Sequence, residues 1–356
     1  MLIVDTMCEI HQFIKEFADR EFWDFSNETI VSGSIYVIGR RQMLDNTARI
    51  IDLVSNDVIK VIFSNPHEGS DTIRSQIVQY GLTDLVLAGK VIIVSGGDLP
   101  GNWNYLHMEK FLPEIFDYTE NIAAAGKAHE IYSTPVKPYK FLCFNGRGRP
   151  HRRYLIERFT NNKLLDQALW TNLDSNVATL HYLPAEYEVD RYQSRLLDGV
   201  VSDTHYAKPN LFNNEWGEIY LTPAPYIDTY FSLVTETVFY YPYSFRTEKI
   251  WKPVVMQHPW ITVANLGYYR DIRNLGFRTF GHLIDESFDS IENNQDRLER
   301  VATVIEDLCA DDLPAFLAAA EDVCKYNYQL YQELRLKIIA EFPNRFIQFT
   351  KKHFNE

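Results

Sequence analysis

Cysteine is scarce and scattered. Cys8, Cys143, Cys309 and Cys324 are the only four in 356 residues, and no CxxC pair or His-rich metal spacing accompanies them. A disulfide framework and a zinc site are thereby disfavoured, and a reducing compartment is expected. Long apolar runs are also missing, since none approaches the ~20 residues needed to cross a bilayer. The N-terminal stretch MLIVDTMCEIHQFIKEF has no basic region followed by a long apolar run, so a cytoplasmic protein without a membrane span is expected. Positive charge is in deficit, with 35 Lys and Arg against 48 Asp and Glu and a net charge of −13. A broad, sequence-independent grip on nucleic acid needs many phosphate-neutralising cations, so it is disfavoured, although local basic patches remain open. The GxxxxGK[ST] arrangement is lacking, and Gly146-Arg-Gly-Arg-Pro-His has no third glycine. Nucleotide hydrolysis at a P-loop and a dinucleotide cofactor are therefore not expected. No Asp pair in DxD spacing closes a strand, so no metal and no cofactor are expected.

What the chain does contain is a large apolar supply, 46% of its residues with 14% aromatic. At this length two domains of roughly 130 to 200 residues are expected. Ser34 to Arg40, Val58 to Asn65 and Lys90 to Gly97 read as short strands, with a helix-like segment from Thr72 to Tyr80 between the last two. Alternating strand and helix predicts an α/β fold with mostly parallel sheets, whose ligands sit beyond the carboxyl ends of the strands. Two loops fall at that edge. Asn65 to Asp71 carries His67 and Glu68, and the stretch after Lys90 to Gly97 carries Asp98, Trp103, His107 and Glu109. A carboxylate or imidazole there suits a general base for an acceptor hydroxyl. Asp98 is the first candidate and Glu68 the second, with His67, Trp103 and His107 as acceptor-side candidates. Each also has a plainer reading, as a helix cap, a turn residue or a packing group.

Between Ala123 and Pro138 small residues give way to two prolines, and a domain connection is expected there. A fresh strand, Tyr139 to Asn145, follows, and a helix from Pro150 to Phe159 opens after an Arg- and Gly-rich loop. Seven Lys or Arg and one acidic residue lie between Lys137 and Arg158. Glycines, guanidinium forks and a helix N-terminus together favour phosphate, with Arg149, Arg152 and Arg153 as candidates. Asn161 to Asn213 has weak periodicity and reads as long loops around short elements. From Thr229 to Asn265 come an apolar run ending near Glu236, an aromatic loop with Arg246, a helix opened by Thr247, Glu248 and Lys249, and a second apolar run after Pro259. Thr247 is the expected N-cap. Ile291 to Leu308 and Leu313 to Phe342 read as amphipathic helices.

Thr247-Glu248-Lys249 between two strands, together with the strand, arginine loop and helix of Tyr139 to Phe159, resembles the donor domain of α-1,3-fucosyltransferases and related GT-B glycosyltransferases. The likeness covers Tyr139 to Phe159 and Tyr230 to Phe280. The segment from Gly267 to Asp289 also looks like glycosyltransferase-like proteins of bacteriophages, which would place the chain in a host cytoplasm. The resemblance implies two Rossmann-like domains facing a cleft, with C-terminal helices crossing back. The expected divisions are 1–135 for the acceptor side, 136–325 for the nucleotide-sugar side and 326–356 for a returning helix. It further implies inverting transfer from a UDP- or GDP-linked sugar to a hydroxyl acceptor, expected to be metal-independent because no DxD closes a strand. Arg152 or Arg153 and Lys249 would hold the diphosphate, and Glu236 and Glu248 would hold hydroxyls. The acceptor would be a glycan or, in an alternative reading, a hydroxymethylated DNA base; a non-catalytic sugar-nucleotide or glycan binder is the third possibility.

Overall fold

A computed structural model describes residues 1–117, 119–145, 149–172, 221 and 223–354. Gly146 to Gly148 and most of the loop-rich stretch expected up to Asn213 lie outside the described residues. The chain divides into two compact units. The first comprises Met1–Pro113, Tyr243–Phe245 and Leu334–Glu356; the second comprises Glu114–Pro242 and Arg246–Glu333.

The first unit is built on a parallel sheet of β1 (Leu2–Asp5), β2 (Arg20–Phe22), β3 (Ile35–Ile38), β4 (Lys60–Asn65), β5 (Val91–Ser95) and β6 (Tyr105–His107) in the order β2-β1-β3-β4-β5-β6. β1, β3 and β5 are buried at every position, as expected of parallel strands covered on both faces. Alternate side chains divide between two cores. Ile3, Tyr36, Ile38, Phe63 and Ile93 enter one. Leu2, Ile35, Val37, Ile62 and Val94 enter the other, together with Phe342, Phe346 and Phe354.

Those three phenylalanines belong to a helix that runs from Leu313 to Phe354, straight through Pro343. The amphipathic pattern read from the sequence stops at Phe342, and proline inside a helix costs about 3 kcal/mol. Burying Phe346 and Phe354, the two rings beyond the proline, each worth roughly 1.5–3 kcal/mol, offsets that cost. The helix end is also tied to the sheet by Lys60, whose Nζ donates to the Phe354 carbonyl at 2.8 Å. At the carboxyl edge, a side chain on Gly96 would place its Cβ 2.0 Å from the Pro66 carbonyl oxygen. Only glycine lets the loops after β4 and β5 approach so closely.

The second unit holds a parallel sheet of β7 (Tyr139–Asn145), β8 (Leu169–Asn172), β9 (Thr229–Thr235) and β10 (Trp260–Val263) in the order β10-β9-β7-β8. Helix α1 (Pro150–Asn161) follows β7 and starts with proline at its first position, where a missing N–H costs nothing. Arg158 binds Glu306 through Nε at 2.7 Å and Nη2 at 2.6 Å, and Glu299 at 2.8 Å, fastening α1 to the helix Asn294–Ala310. The division between units falls at Pro113 and Glu114, upstream of the expected proline pair. Helices Thr119–Ala125 and Glu130–Ser133 are fixed within the second unit. There the Asn121 side chain donates to the Ile115 carbonyl and accepts from the Leu221 N–H, and the Tyr132 hydroxyl donates to the Gln257 carbonyl.

His258 is fully buried at the other end of this sheet. Its Nε2 faces the Thr229 carbonyl at 3.0 Å and its Nδ1 faces the Ser232 hydroxyl at 2.9 Å. A carbonyl can only accept, so Nε2 carries the proton and Nδ1 accepts from Ser232. Burial pushes the imidazole pKa down to about 3. The unfolded imidazole titrates near 6.5, so the stability contributed by its neutral form is complete above that pH. It is lost as pH falls from about 6.5 toward 3, by up to ~1.4 kcal/mol per pH unit. Burial raises the carboxyls of Asp5 and Glu236, which act with the opposite sign in part of this window, so a variant is needed to isolate the histidine. Urea unfolding midpoints between pH 7.5 and 5 should fall less steeply for His258→Gln than for the parent chain. Parallel curves would remove His258 from the acid response.

Candidate functional site

In the second unit, β8 is added on one side of β7 and β9 on the other. The order of strand addition therefore reverses between β7 and β9, and an α/β sheet opens a crevice at such a point, beyond the carboxyl ends of the strands. Asn145 and Thr235 close these two strands and are joined there, Thr235 Oγ1 donating to Asn145 Oδ1 at 2.5 Å. Nearly every candidate from the arginine loop and the Thr-Glu-Lys segment falls on this edge.

Glu236 is completely buried. Its Oε1 accepts from the Thr247 N–H and the Tyr268 hydroxyl, both at 3.1 Å. Oε2 accepts from the Thr247 hydroxyl at 2.7 Å and the Thr237 N–H at 3.2 Å. Burial raises its pKa, while the Lys249 ammonium and the Thr247 hydrogen bonds hold it back. The carboxylate thus pins both ends of the aromatic loop from Thr237 to Thr247.

Thr247 is the N-cap of helix α2 (Glu248–Val255), as the sequence predicts. Its hydroxyl accepts from the Lys249 N–H at 3.3 Å while donating to Glu236. Glu248 is buried, and Lys249 reaches its Oε1 at 2.5 Å and Thr247 Oγ1 at 3.3 Å. Burial alone would raise the Glu248 carboxyl; the ammonium of Lys249 and its hydrogen bond, with Lys252, bring it below its ordinary value. Lys249 keeps part of its side chain exposed, whereas Arg246 is buried.

The arginines separate by depth. Arg149 is half-buried at the N-cap position of α1, and Arg153 is exposed. Arg152 is only 2% exposed, and its Nη2 donates to the carbonyls of Thr235 at 2.7 Å and Glu236 at 3.3 Å. Burial and neighbouring Arg149 lower its pKa to about 10, against the pull of Glu236 and Glu248. Its guanidinium caps the end of β9. His151, which the sequence reading passes over, is 1% exposed. Its Nε2 lies 3.0 Å from the Glu236 carbonyl, its ring stacks on Phe239, and burial lowers its pKa to about 3. The Pro-His-Arg-Arg run gives only a weak signal for this histidine, because a basic helix start does not say which residue turns inward.

In the first unit, Asp98 and His107 are brought together. Asp98 Oδ1 lies 3.2 Å from His107 Nδ1 and accepts from the Tyr105 hydroxyl at 3.4 Å, with the Asp98 side chain 43% exposed. His107 Nε2 lies 3.3 Å from Glu109 Oε1, so the imidazole stands between two carboxylates. His107 closes the short strand β6, which the sequence reading takes as loop. Glu68 lies 3.6 Å from Arg40, and His67 packs on Phe111. Trp103 packs against the apolar core. Two further carboxylates went unmarked in the sequence. Asp5 ends β1 and accepts from the N–H groups of Met7 and Gly39, and Glu9 lies 3.4 Å from the Ser64 hydroxyl with its pKa raised by burial. The apolar Leu2–Val4 run followed by an acid was the available signal for Asp5.

Among the described residues no cluster of three or more His, Cys, Asp or Glu could hold a metal ion. No helix among them is long and apolar enough to cross a membrane. In comparison with known proteins, no family model and no curated protein matches the chain.

Glu236→Gln keeps the shape of the side chain but turns one acceptor into a donor facing the donors of Thr237 and Thr247. A loss of about 1–3 kcal/mol is expected from urea unfolding, as for a buried polar group left unpaired. An undiminished unfolding free energy would show that the carboxylate does not hold the loop.

Proposed function

We propose that the chain is a metal-independent glycosyltransferase of the GT-B kind, with a nucleotide-sugar held at the carboxyl edge of the second unit. The observation that carries this reading is the charge distribution at the reversal point between β7 and β9. In a chain of net charge −13, this edge gathers Arg149, Arg152, Arg246 and Lys249 beside two buried carboxylates. A helix N-terminus stands on either side, that of α1 and that of α2. Backbone N–H groups and cations in this combination suit a diphosphate.

The hydrogen-bond pattern divides the roles. Arg152 and Glu236 act as positioning residues, since both are spent on backbone and hydroxyl partners. Arg149 and Lys249, each partly exposed, are the phosphate ligands, and Glu248 orients Lys249. Negative charge develops on the departing diphosphate during transfer, and fixed cations stabilise it. The first unit supplies the acceptor side, and Asp98, oriented by His107 and Tyr105, takes the acceptor proton. Arg40 and Arg41 are turned to Glu68 and Asp45, so a DNA-base acceptor gains no support from them.

Calorimetry with a panel of UDP- and GDP-sugars tests the donor site. Lys249→Ala and Arg149→Ala should each weaken the bound donor about tenfold to a hundredfold with the fold intact by circular dichroism. Equal affinity in parent and variants would sink the assignment, and donor binding without any release of nucleoside diphosphate would favour the non-catalytic binder. Asp98→Asn should lower the turnover of transfer or of donor hydrolysis by about 10²–10⁴ at unchanged donor affinity. Full turnover in that variant would move the base elsewhere.

A further inference from the structure

A small cavity of about 10 Å³ lies in the second unit at the carboxyl end of β10. Thr262, Asn265, Tyr268, Asp289, Arg297 and Phe239 are among the residues that line it. Two of these present buried polar atoms that have no partner among the described residues, Thr262 Oγ1 and Arg297 Nε. Both side chains are deeply buried, at 1% and 2% exposure.

The rest of each group is accounted for. Arg297 Nη1 donates to the Ile291 carbonyl at 2.9 Å and more weakly to that of Glu292 at 3.5 Å. Nη2 donates to the Phe239 carbonyl at 2.9 Å and to Asn294 Oδ1 at 2.5 Å. The guanidinium lies over the Phe239 ring, 4.6 Å from its centroid. Thr262 gives its N–H to the Tyr269 hydroxyl at 2.7 Å, which leaves the threonine hydroxyl as its unused group. Asp289 accepts the N–H groups of Tyr269 and Arg270, one on each oxygen.

We infer that this cavity is a binding site for one ordered water molecule, which accepts from the Arg297 Nε–H and hydrogen-bonds the Thr262 hydroxyl. Size and chemistry select that ligand. The volume is at the lower limit for a single water, and a buried water needs two to four polar partners. The lining includes both a guanidinium and a carboxylate, so an anion would meet Asp289 and a cation would meet Arg297. A neutral molecule that both donates and accepts satisfies both. The bridge joins the end of β10 to the helix Asn294–Ala310. The same cavity wall includes Phe239 and Tyr268, which stack on His151 and bind Glu236, respectively. The inference stands independently of the nucleotide-sugar reading.

The sign of one substitution decides it. With a water in place, Thr262→Val deprives that water of a partner and should lower the thermal midpoint by roughly 2–6 °C. In a dry cavity the same change removes a buried unsatisfied hydroxyl, so an unchanged or raised midpoint would overturn the inference. Thr262→Ser, which keeps the hydroxyl, should retain the magnetisation transfer from water to the Arg297 Nε–H in NMR, and Thr262→Val should diminish it. Absence of that transfer in the parent chain also overturns the inference. Bromide occupying the cavity in a soaked crystal, with a midpoint that rises with bromide at fixed ionic strength, would replace the water by an anion.

Discussion

A carboxylate without solvent must find several donors or lose its charge, because the cost of burying it unpaired runs to several kcal/mol. Glu236 meets that requirement with four hydrogen bonds from three residues of its own unit. Two of the donors stand at opposite ends of the loop from Thr237 to Thr247, so satisfying one charge closes the loop and fixes the start of α2. The Thr247 hydroxyl passes the constraint on, donating to Glu236 while accepting the Lys249 N–H. Lys249 can then lie against Glu248 and Thr247. The position of the partly exposed Lys249 ammonium is therefore set by a fully buried carboxylate.

Around this anchor the buried basic side chains of α1 are committed to backbone carbonyls. Arg152 and His151 both reach carbonyls at the end of β9, from the first turn of α1. Phe239 extends the arrangement, stacking on His151 and lying beneath the Arg297 guanidinium. In the transferase proposed above, groups fixed in this way would stay in place as the donor binds, and fixed dipoles and charges favour electrostatic stabilisation of developing charge. The first unit has a looser counterpart at the ends of β5 and β6, where His107 stands between Asp98 and Glu109.

Much of the architecture was legible because parallel strands buried on both faces leave nearly unbroken apolar runs. β3, β4, β5, β7, β9 and β10 all announce themselves in this way, and Thr247 declares the start of α2. β2, β6 and β8 are three or four residues long and carry little pattern. β6 in particular lies inside a stretch whose Trp, Tyr, His and Glu content reads as a ligand loop. The helix continues past Pro343 because Phe346 and Phe354 are buried, a fact of packing that local propensity does not contain. Arg149, Arg152 and Arg153 are equivalent candidates as letters. Their different depths follow from the turn of α1 against β9, which one sequence does not reveal.

By itself the sequence determined the α/β class, the longer strands with the helices that follow β7 and β9, and the Thr247 cap, since periodicity and capping are local properties. Tertiary structure alone decided the strand order, and with it the reversal between β7 and β9 that brings Arg152 to the end of β9 and near Glu248. It also decided that Glu236 and Arg152 face inward while Lys249 stays partly exposed. Burial and hydrogen-bond partners depend on which segments meet in space, and residues some ninety positions apart meet here only because one strand is inserted beside another.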